Sequence, residues 1–534
     1  MNPPPQTSAR GGLLRRLPGW RVRAALVACG VVFAWAVAQF YDPATGFTSL
    51  ISIGDVLSGT KVTALRQVPH YVYEGSSGYD GAYYAQLALH PTLENPELAK
   101  AIDNLPYRAR RMLFCWVAWL LGLGQPAWIV QAHALLNVLC WFALAAVLLR
   151  WFPPTNGQNL LRWFGVMFSH GLCMSVRNSL VDGPSLLFVA VAIALLESGR
   201  RAGGGVVLAL AGLGKETSLL AAAAWGDGDG KKLRTWRRPA ATAIALALPL
   251  AAWMGYVRWK FGPADDPGFG NFTLPLAGFI EKWRFVVCDV RSPAWGLPWA
   301  TLLAVGALGV QGLFFLLRWR PGETWWRVGA AFAAMMVFLS TPVWEGYPGA
   351  ATRVLLPMTL AFNVLVPRGR RWLPVLLAGN LTVLASFFEF SPPHEFFQLR
   401  GDPALRAAVR VTPANGWHAP EGHRGNYWRW SKERAELRIA NGTPQPVMLT
   451  VRGRAASASD VRGLRISIGE LLVWDGRIGN GQAEIRFECA LPPGESVLVF
   501  ASDQPAEKVG GDPRELAFMV SNLEIVVQPA GGAR

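Results

Sequence analysis

The stretch from Gly78 to Pro91 (Gly-Tyr-Asp-Gly-Ala-Tyr-Tyr-Ala-Gln-Leu-Ala-Leu-His-Pro) sets one carboxylate, Asp80, in a glycine-rich turn that opens a short helix. Tyr79, Tyr83 and Tyr84 surround it in sequence. A carboxylate at the water-facing end of an oily chain suits general-base work, accepting the proton of an incoming hydroxyl as a new bond forms. The structural alternative is that Asp80 caps the helix by accepting first-turn amide protons. The two uses are compatible.

Three further stretches carry ionisable groups beside or inside apolar runs: Arg177, Asn178 and Asp182; Lys215 and Glu216 within Leu-Gly-Lys-Glu-Thr-Ser-Leu; and Glu345 and Arg353. Charges in such places cost a few kcal/mol at a bilayer centre, so they usually face a cavity and serve a function. Cations there would hold a phosphate or diphosphate leaving group, Arg gripping two oxygens and Lys acting as a point charge. The bland alternative is local pairing at solvated helix ends: Lys215 with Glu216, Arg353 with Glu345, Arg177 with Asp182. The sequence has no phosphate-cradling Gly-x-x-x-x-Gly-Lys loop, dinucleotide fingerprint or His-rich zinc site, so a soluble nucleotide donor is not indicated.

The elements that must position these groups follow from composition. Of 534 residues, 52% are hydrophobic and 16% charged, too oily for two soluble domains. The 24 Trp and 27 Phe fit a membrane chain with interfacial aromatics. A net charge of +16 reads as basic cytoplasmic loops; the basic residues form no single stripe, which argues against nucleic acid as a partner. The six Cys form no framework, and only Cys288 and Cys489 fall on the expected outer side, where one disulfide could form.

Arginines at 15, 16, 21 and 23 place residues 1–22 in the cytoplasm as a tail, before a retained first helix over about 24–40. The loop 42–109 is then external, and 110–124 reads as a helix at the membrane surface. Crossings are expected at 126–149, 163–177 and 183–199, then a broken hairpin over 203–230 with its tip at Gly214 to Thr217. More follow at 239–258, 297–318, 326–343, 352–367 and 372–388, with cytoplasmic signals at Arg318 to Arg327 and Arg368 to Arg371, for about eleven helices in all. A second external loop, 259–295, carries an amphipathic piece from Phe279 to Val287. The expected fold is therefore an α-helical polytopic membrane bundle over 23–390, a linker at 391–410, and a C-terminal all-β sandwich over 411–534. Short alternating runs at 435–440, 447–451, 464–468, 484–487, 497–500 and 523–527, separated by Asn-Gly, Asp-Gly and Pro-Pro-Gly turns, supply its strands.

With those residues in view, the chain resembles bacterial membrane glycosyltransferases of the GT-C superfamily. It is most similar to a group with a Gly-Tyr-Asp-Gly-x-Tyr-Tyr-x-x-Leu-Ala-x-x-Pro segment after the first helix, here Gly78 to Pro91. The resemblance spans about residues 20–390 and extends to the Arg177 to Pro184 turn, the Lys215 stretch and the Glu345 to Arg353 loop. It implies a polyprenyl-phosphate-linked sugar as donor, a surface glycan or glycolipid as acceptor, and transfer at the periplasmic face of the inner membrane. Asp80 matches the catalytic acid of the first external loop, and Lys215, Arg177 and Arg353 the binders of the lipid phosphate. Tyr79, Tyr83, Tyr84, Asp182, Glu216 and Glu345 complete the expected substrate site. Many such enzymes have paired acids in that loop; here Asp80 has no adjacent partner, Glu74 being nearest, which leaves the number of bases and a divalent cation (Mg or Mn) open. The C-terminal part resembles β-sandwich accessories of polysaccharide glycosyltransferases, in which Trp417, Trp428, Trp430 and Trp474 either stack on sugars or fill the core. Other readings are a lipid-linked glycan flippase or transporter, and a non-catalytic, membrane-anchored glycan-binding assembly protein.

Overall fold

A computed structural model describes residues 19–530 except 57–59, 74–75, 227–236, 264–267, 292–296, 424–425, 511 and 513. Arg15, Arg16, Glu74 and the basic residues Lys231, Lys232 and Arg234 lie outside the described residues. The chain forms two units, Met1–Pro392 and Pro393–Arg534.

The first unit is helical. Among the described residues, four helices are long and apolar enough to cross a membrane: Gly19–Ala38, Pro126–Arg150, Ala241–Phe261 and Leu297–Leu317. They make this a membrane protein, and they expose Val31, Trp35, Leu139, Ile244 and Leu316. The other expected crossings are not single long helices. The 163–177 stretch is split into Gly157–Met167 and His170–Arg177, and 183–199 is the 16-residue helix Asp182–Glu197. Later segments restart at Thr341–Trp344, Leu356–Leu365 and Leu373–Gly379, each with proline in its first turn. Proline lacks an amide proton and clashes with the carbonyl four residues back, so it opens a helix more readily than it continues one. These short pieces are shielded by the rest of the bundle; Leu356, Met358, Leu360 and Phe362 are all buried. The expected hairpin is broken where its sequence suggests, with helix Arg201–Gly214, an extended Lys215, and a 3-10 helix Glu216–Trp225.

The polar loop after the first helix has its own apolar core. Ile51, Val62, Leu65, Leu87 and Leu98 cluster with Phe114 and Ile129. Helix Asp80–Leu89 lies in it, burying Tyr84, Leu87 and Leu89. Its glycines are required by close packing: a Cβ on Gly81 would stand 2.0 Å from the Asn178 carbonyl oxygen, and Gly78 has φ +79°. The helix Leu113–Leu121 is only nine residues long, too short to span a bilayer. In the second loop, helix Ala277–Asp289 buries Lys282 and Val286 and exposes Ile280, Phe285 and Val287.

The second unit is a two-layer β structure. One sheet orders Glu421–His423, Asn426–Ser431, Phe518–Pro529, Val447–Ser457 and Ala483–Leu491; the other orders Val409–Pro413, Arg434–Asn441, Gly494–Ser502, Arg462–Ile468 and Leu471–Ile478. Alternating side chains of both sheets, including Leu437, Ile439, Leu449, Val451, Ile466, Phe500 and Ile525, share one core. The stretch 391–410 is not a linker: Phe397–Gly401 forms a strand pairing in parallel with Leu523 to Val527, and helix Pro403–Ala408 follows. Phe-Gln-Leu-Arg alternates apolar and polar residues, but over so short a run the alternation is a weak signal by itself, and pairing with its neighbour makes it a strand. Trp417 packs into the core against Phe396, Phe500 and Phe518. All six cysteines are free thiols.

Candidate functional site

Asp80 is the first residue of its helix, following Tyr79 in extended conformation, where a negative charge suits the helix dipole. It does not serve as the cap. Its two oxygens instead face Arg108 Nη1 at 3.0 Å and Arg353 Nη2 at 3.4 Å. Arg353 also donates to Asp182 at 3.3 Å and to the Tyr79 hydroxyl at 3.3 Å. One guanidinium thus bridges carboxylates from the first loop and from the start of helix Asp182–Glu197. Lys215, in the hairpin break, donates to the other Asp182 oxygen. Arg353 Nε is buried with no hydrogen-bond partner among the described residues.

A second arm runs through Arg111, which donates to both Glu216 oxygens at 2.8 and 2.6 Å, and to the Tyr84 and Tyr107 hydroxyls at 3.0 and 3.1 Å. Arg108 holds Asp103 at 2.8 and 3.0 Å and lies over the Tyr83 ring, 5.0 Å from its centre. Arg108, Arg110, Arg111, Lys215 and Arg353 therefore face Asp80, Asp103, Asp182 and Glu216, and the Glu389 carboxylate also acts on Tyr79. Asp182 is almost wholly enclosed, whereas the Asp80 side chain keeps 21% of its surface exposed. Asp80 is the accessible carboxylate of the two that share Arg353.

Burial pushes the Tyr79 phenol up, with Arg353 pulling the other way. Burial likewise raises Tyr83 and Tyr84. For Arg108, burial works against the charge, but the Asp103 hydrogen bonds and the Asp80 charge outweigh it and hold the guanidinium above its ordinary value. These arginines are permanently charged partners for the carboxylates.

None of the local pairings expected from the sequence forms among the described contacts. Glu216 turns to Arg111 and Lys215 to Asp182, because adjacent residues across a backbone break point in different directions. Arg177 stands apart from Asp182. It donates to Ser49 O, Ser52 Oγ and the Tyr73 hydroxyl at 3.1, 3.0 and 2.8 Å, fastening the first loop to its helix. Glu345 is exposed, and the charge it faces is Lys282. Lys282 in turn donates to Gly346 O at 2.5 Å and lies by Phe285 and Tyr347. Of the expected site, Asp80, Tyr79, Tyr83, Tyr84, Asp182, Lys215, Glu216 and Arg353 converge, while Arg177 and Glu345 do not join them.

Sequence reasoning missed Arg108 and Arg111. The signal was available: Arg108 ends the loop assigned outside and Arg110 and Arg111 open the surface helix after it, against the positive-inside bias, which calls for anionic partners. It also missed buried His170, whose Nδ1 hydrogen-bonds Thr352 at 2.8 Å and whose Nε2 meets Glu389 at 3.0 Å, beside the Arg353 backbone. His133, buried in helix Pro126–Val147, contacts Gly81 O through Nε2 at 3.2 Å.

Among the described residues no group of three or more His, Cys, Asp or Glu side chains could hold a metal ion. Where Asp80 and Asp182 come together, Arg353 already lies between them, so the donor set does not fit a divalent cation.

No known protein family matches the chain, and no curated protein matches it. Among solved structures it is similar to the cryo-EM structure of arabinosyltransferase EmbB from Mycobacterium smegmatis, at 12% identity and a TM-score of 0.33, over 97% of this chain and 66% of that one. The chain thus spans just under two thirds of the length of that structure.

Proposed function

We propose that this is a GT-C type glycosyltransferase that moves a sugar from a polyprenyl-phosphate carrier to a hydroxyl of a surface glycan or glycolipid, on the periplasmic side of the inner membrane. The observation that carries the reading is the pair of carboxylates on Arg353, one enclosed and one accessible, with Lys215, Arg108 and Arg111 around them. The Gly78 to Pro91 motif supports the same reading.

In this reaction the acceptor oxygen attacks the anomeric carbon, the bond from that carbon to the phosphate oxygen breaks, and the hydroxyl proton passes to Asp80. The carrier leaves as a phosphate monoester, with more negative charge than the diester it came from. Protonating Asp80 removes the charge that holds Arg108 and one arm of Arg353. Those guanidinium donors then turn to the leaving phosphate as its charge grows, which is stabilisation made chiefly in the transition state. Asp182, held by Lys215, keeps Arg353 in place throughout. No step runs through a metal.

The test is transfer from polyprenyl-phosphate sugar in membranes containing Asp80→Asn or Lys215→Ala, with folding verified by size-exclusion profile. Loss of transfer in Asp80→Asn with undiminished crosslinking of a polyprenyl-phosphate probe is expected. Normal transfer in both variants removes this site from consideration.

A further inference from the structure

His170 opens helix His170–Arg177, is buried, and uses both ring nitrogens. Nδ1 meets the Thr352 hydroxyl at 2.8 Å and Nε2 meets the Glu389 carboxyl at 3.0 Å. The Thr352 hydroxyl in turn donates to the buried Gly349 carbonyl oxygen at 3.0 Å. A hydroxyl has one proton and a carbonyl oxygen can only accept, so toward the ring Thr352 is an acceptor and Nδ1 carries the donor proton. A neutral ring protonated at Nδ1 presents a lone pair at Nε2, and an ionised carboxylate repels it. The 3.0 Å contact is a hydrogen bond only with a second proton, on Nε2 or on Glu389. The pair therefore holds one proton more than a neutral imidazole and a free carboxylate, and that proton belongs to the two groups together. The Glu389 side chain keeps 18% of its surface exposed, which lets the proton exchange with water.

This chain of contacts ends at the backbone of Arg353. Segment Ala351–Val354 is a single helical turn, too short to hold itself in place. It is held from outside: a Cβ on Gly171 would stand 2.2 Å from the Thr352 carbonyl oxygen and 2.6 Å from Arg353 Cα, so the start of helix His170–Arg177 lies directly against it. The His170 bond to Thr352 fixes the same turn one residue before Arg353. Precision matters here, because the Arg353 guanidinium reaches Asp182 at 3.3 Å and Asp80 at 3.4 Å, just past ordinary hydrogen-bond length, and a small backbone shift parts them. The other titratable groups on this helix and on the elements packed against it have partners of their own. Asp182 has Lys215 and Arg353, Arg162 the Asn363 carbonyl, His133 the Gly81 carbonyl, Arg177 Ser49 and Tyr73, and Cys173 Ser386. Glu389 is the charge that meets the ring.

We infer that His170 is a positioning residue for Arg353: a proton shared with Glu389 keeps the ring donating to Thr352, and Thr352 keeps the Arg353 backbone where its guanidinium spans Asp80 and Asp182. Once that proton leaves, the ring can donate from one nitrogen only. It then keeps Glu389 and gives up Thr352, or draws the Thr352 hydroxyl away from Gly349. The consequence for catalysis rests on the transfer reaction proposed above; the shared proton and its hold on residues 349–354 do not.

The experiment uses the full-length protein and four forms: wild type, His170→Ala, His170→Asn and Glu389→Gln. For each, kcat and KM for sugar transfer are measured against pH, and amide hydrogen exchange over residues 349–354 is followed by mass spectrometry. His170→Ala should speed that exchange and lower kcat about 10- to 100-fold with KM little changed, because Arg353 acts on the leaving phosphate in the transition state. His170→Asn, whose amide nitrogen stands where Nδ1 stood, should recover most of both losses. In Glu389→Gln the amide donates to a neutral ring at Nε2, so the bond to Thr352 no longer needs the extra proton. The ratio of wild-type to Glu389→Gln kcat should therefore fall as pH rises, and wild-type exchange should quicken relative to Glu389→Gln over the same range; groups common to both proteins cancel in these ratios. If wild type transfers no sugar, the reaction reading falls, and the exchange ratio alone upholds or overturns the shared proton. Where His170→Ala gives no monodisperse chromatographic peak, the Glu389→Gln ratios carry the test. Ratios independent of pH in both readouts overturn the proposal, and exchange that responds while kcat does not overturns the positioning role.

Discussion

Lys215 and Asp182 give the sharpest test of how this bundle is held together. Both are buried, Lys215 at 7% and Asp182 at 3% exposure, and the ammonium donates to one carboxylate oxygen while Arg353 holds the other at 3.3 Å. Replacing Lys215 by Met keeps the length and apolar stem but leaves Asp182 with Arg353 as its one ion-pair partner among the described residues. Breaking a buried pair from one side costs about 3–5 kcal/mol, and the remaining Arg353 contact argues for the lower end. Unfolding entropy of about 2.1 cal/mol/K per residue, taken over a unit of roughly 390 residues, converts about 3 kcal/mol into a midpoint lowered by about 4 °C. The double variant Lys215→Met with Asp182→Asn removes both charges. It should recover much of the loss, with a coupling of about 2 kcal/mol or more. The assay is the temperature at which half of the full-length protein loses its monodisperse chromatographic peak, measured on wild type, both single variants and the double. A Lys215→Met midpoint equal to wild type, or a double variant as weakened as the sum of the singles, refutes the reasoning.

The remaining predictions concern the first loop. Gly81→Ala drives a methyl group against the Asn178 carbonyl, a backbone atom that cannot step aside, so destabilisation of about 1–3 kcal/mol or more is expected, read by the same thermal midpoint. For Asp103, burial opposes ionisation, but the Arg108 hydrogen bonds and charge prevail and hold its carboxyl below the usual range. A lowered carboxylate stabilises fully above its unfolded value of about 4, and that contribution is lost as pH falls through the lowered folded value. Asp103 is 42% exposed, so water screens the effect to well under what a buried pair gives. Wild type should therefore exceed Asp103→Asn slightly at neutral pH, with the gap closing only below about pH 4; a gap that widens on acidification contradicts this.

Much of the architecture was legible because it rests on local periodicity. Unbroken apolar runs gave the four long helices, and alternation with Asn-Gly and Pro-Pro-Gly turns gave most strands of the second unit. The broken hairpin was also visible, since each arm was too short to cross and its tip was charged. Less legible were the fractured later helices, where apolar length alone cannot distinguish a lipid-facing span from short pieces buried in protein. The strand Phe397–Gly401 alternates as Phe-Gln-Leu-Arg, but the run is so short that its pairing with Leu523 to Val527 decides it.

The residue types at the site were readable one by one. A glycine-flanked Asp80, charges stranded in apolar runs at Asp182, Lys215, Glu216 and Arg353, and tyrosines beside them are properties of the chain itself. Their partners were not. Arg353 joins carboxylates 273 and 171 positions away, and Arg111 finds Glu216 across 105. Charge acts through space, so which groups neutralise one another is fixed only when the loop, the hairpin break and the helix starting at Asp182 are packed together. Until then every carboxylate has many candidate cations at similar sequence distance, and only packing selects one.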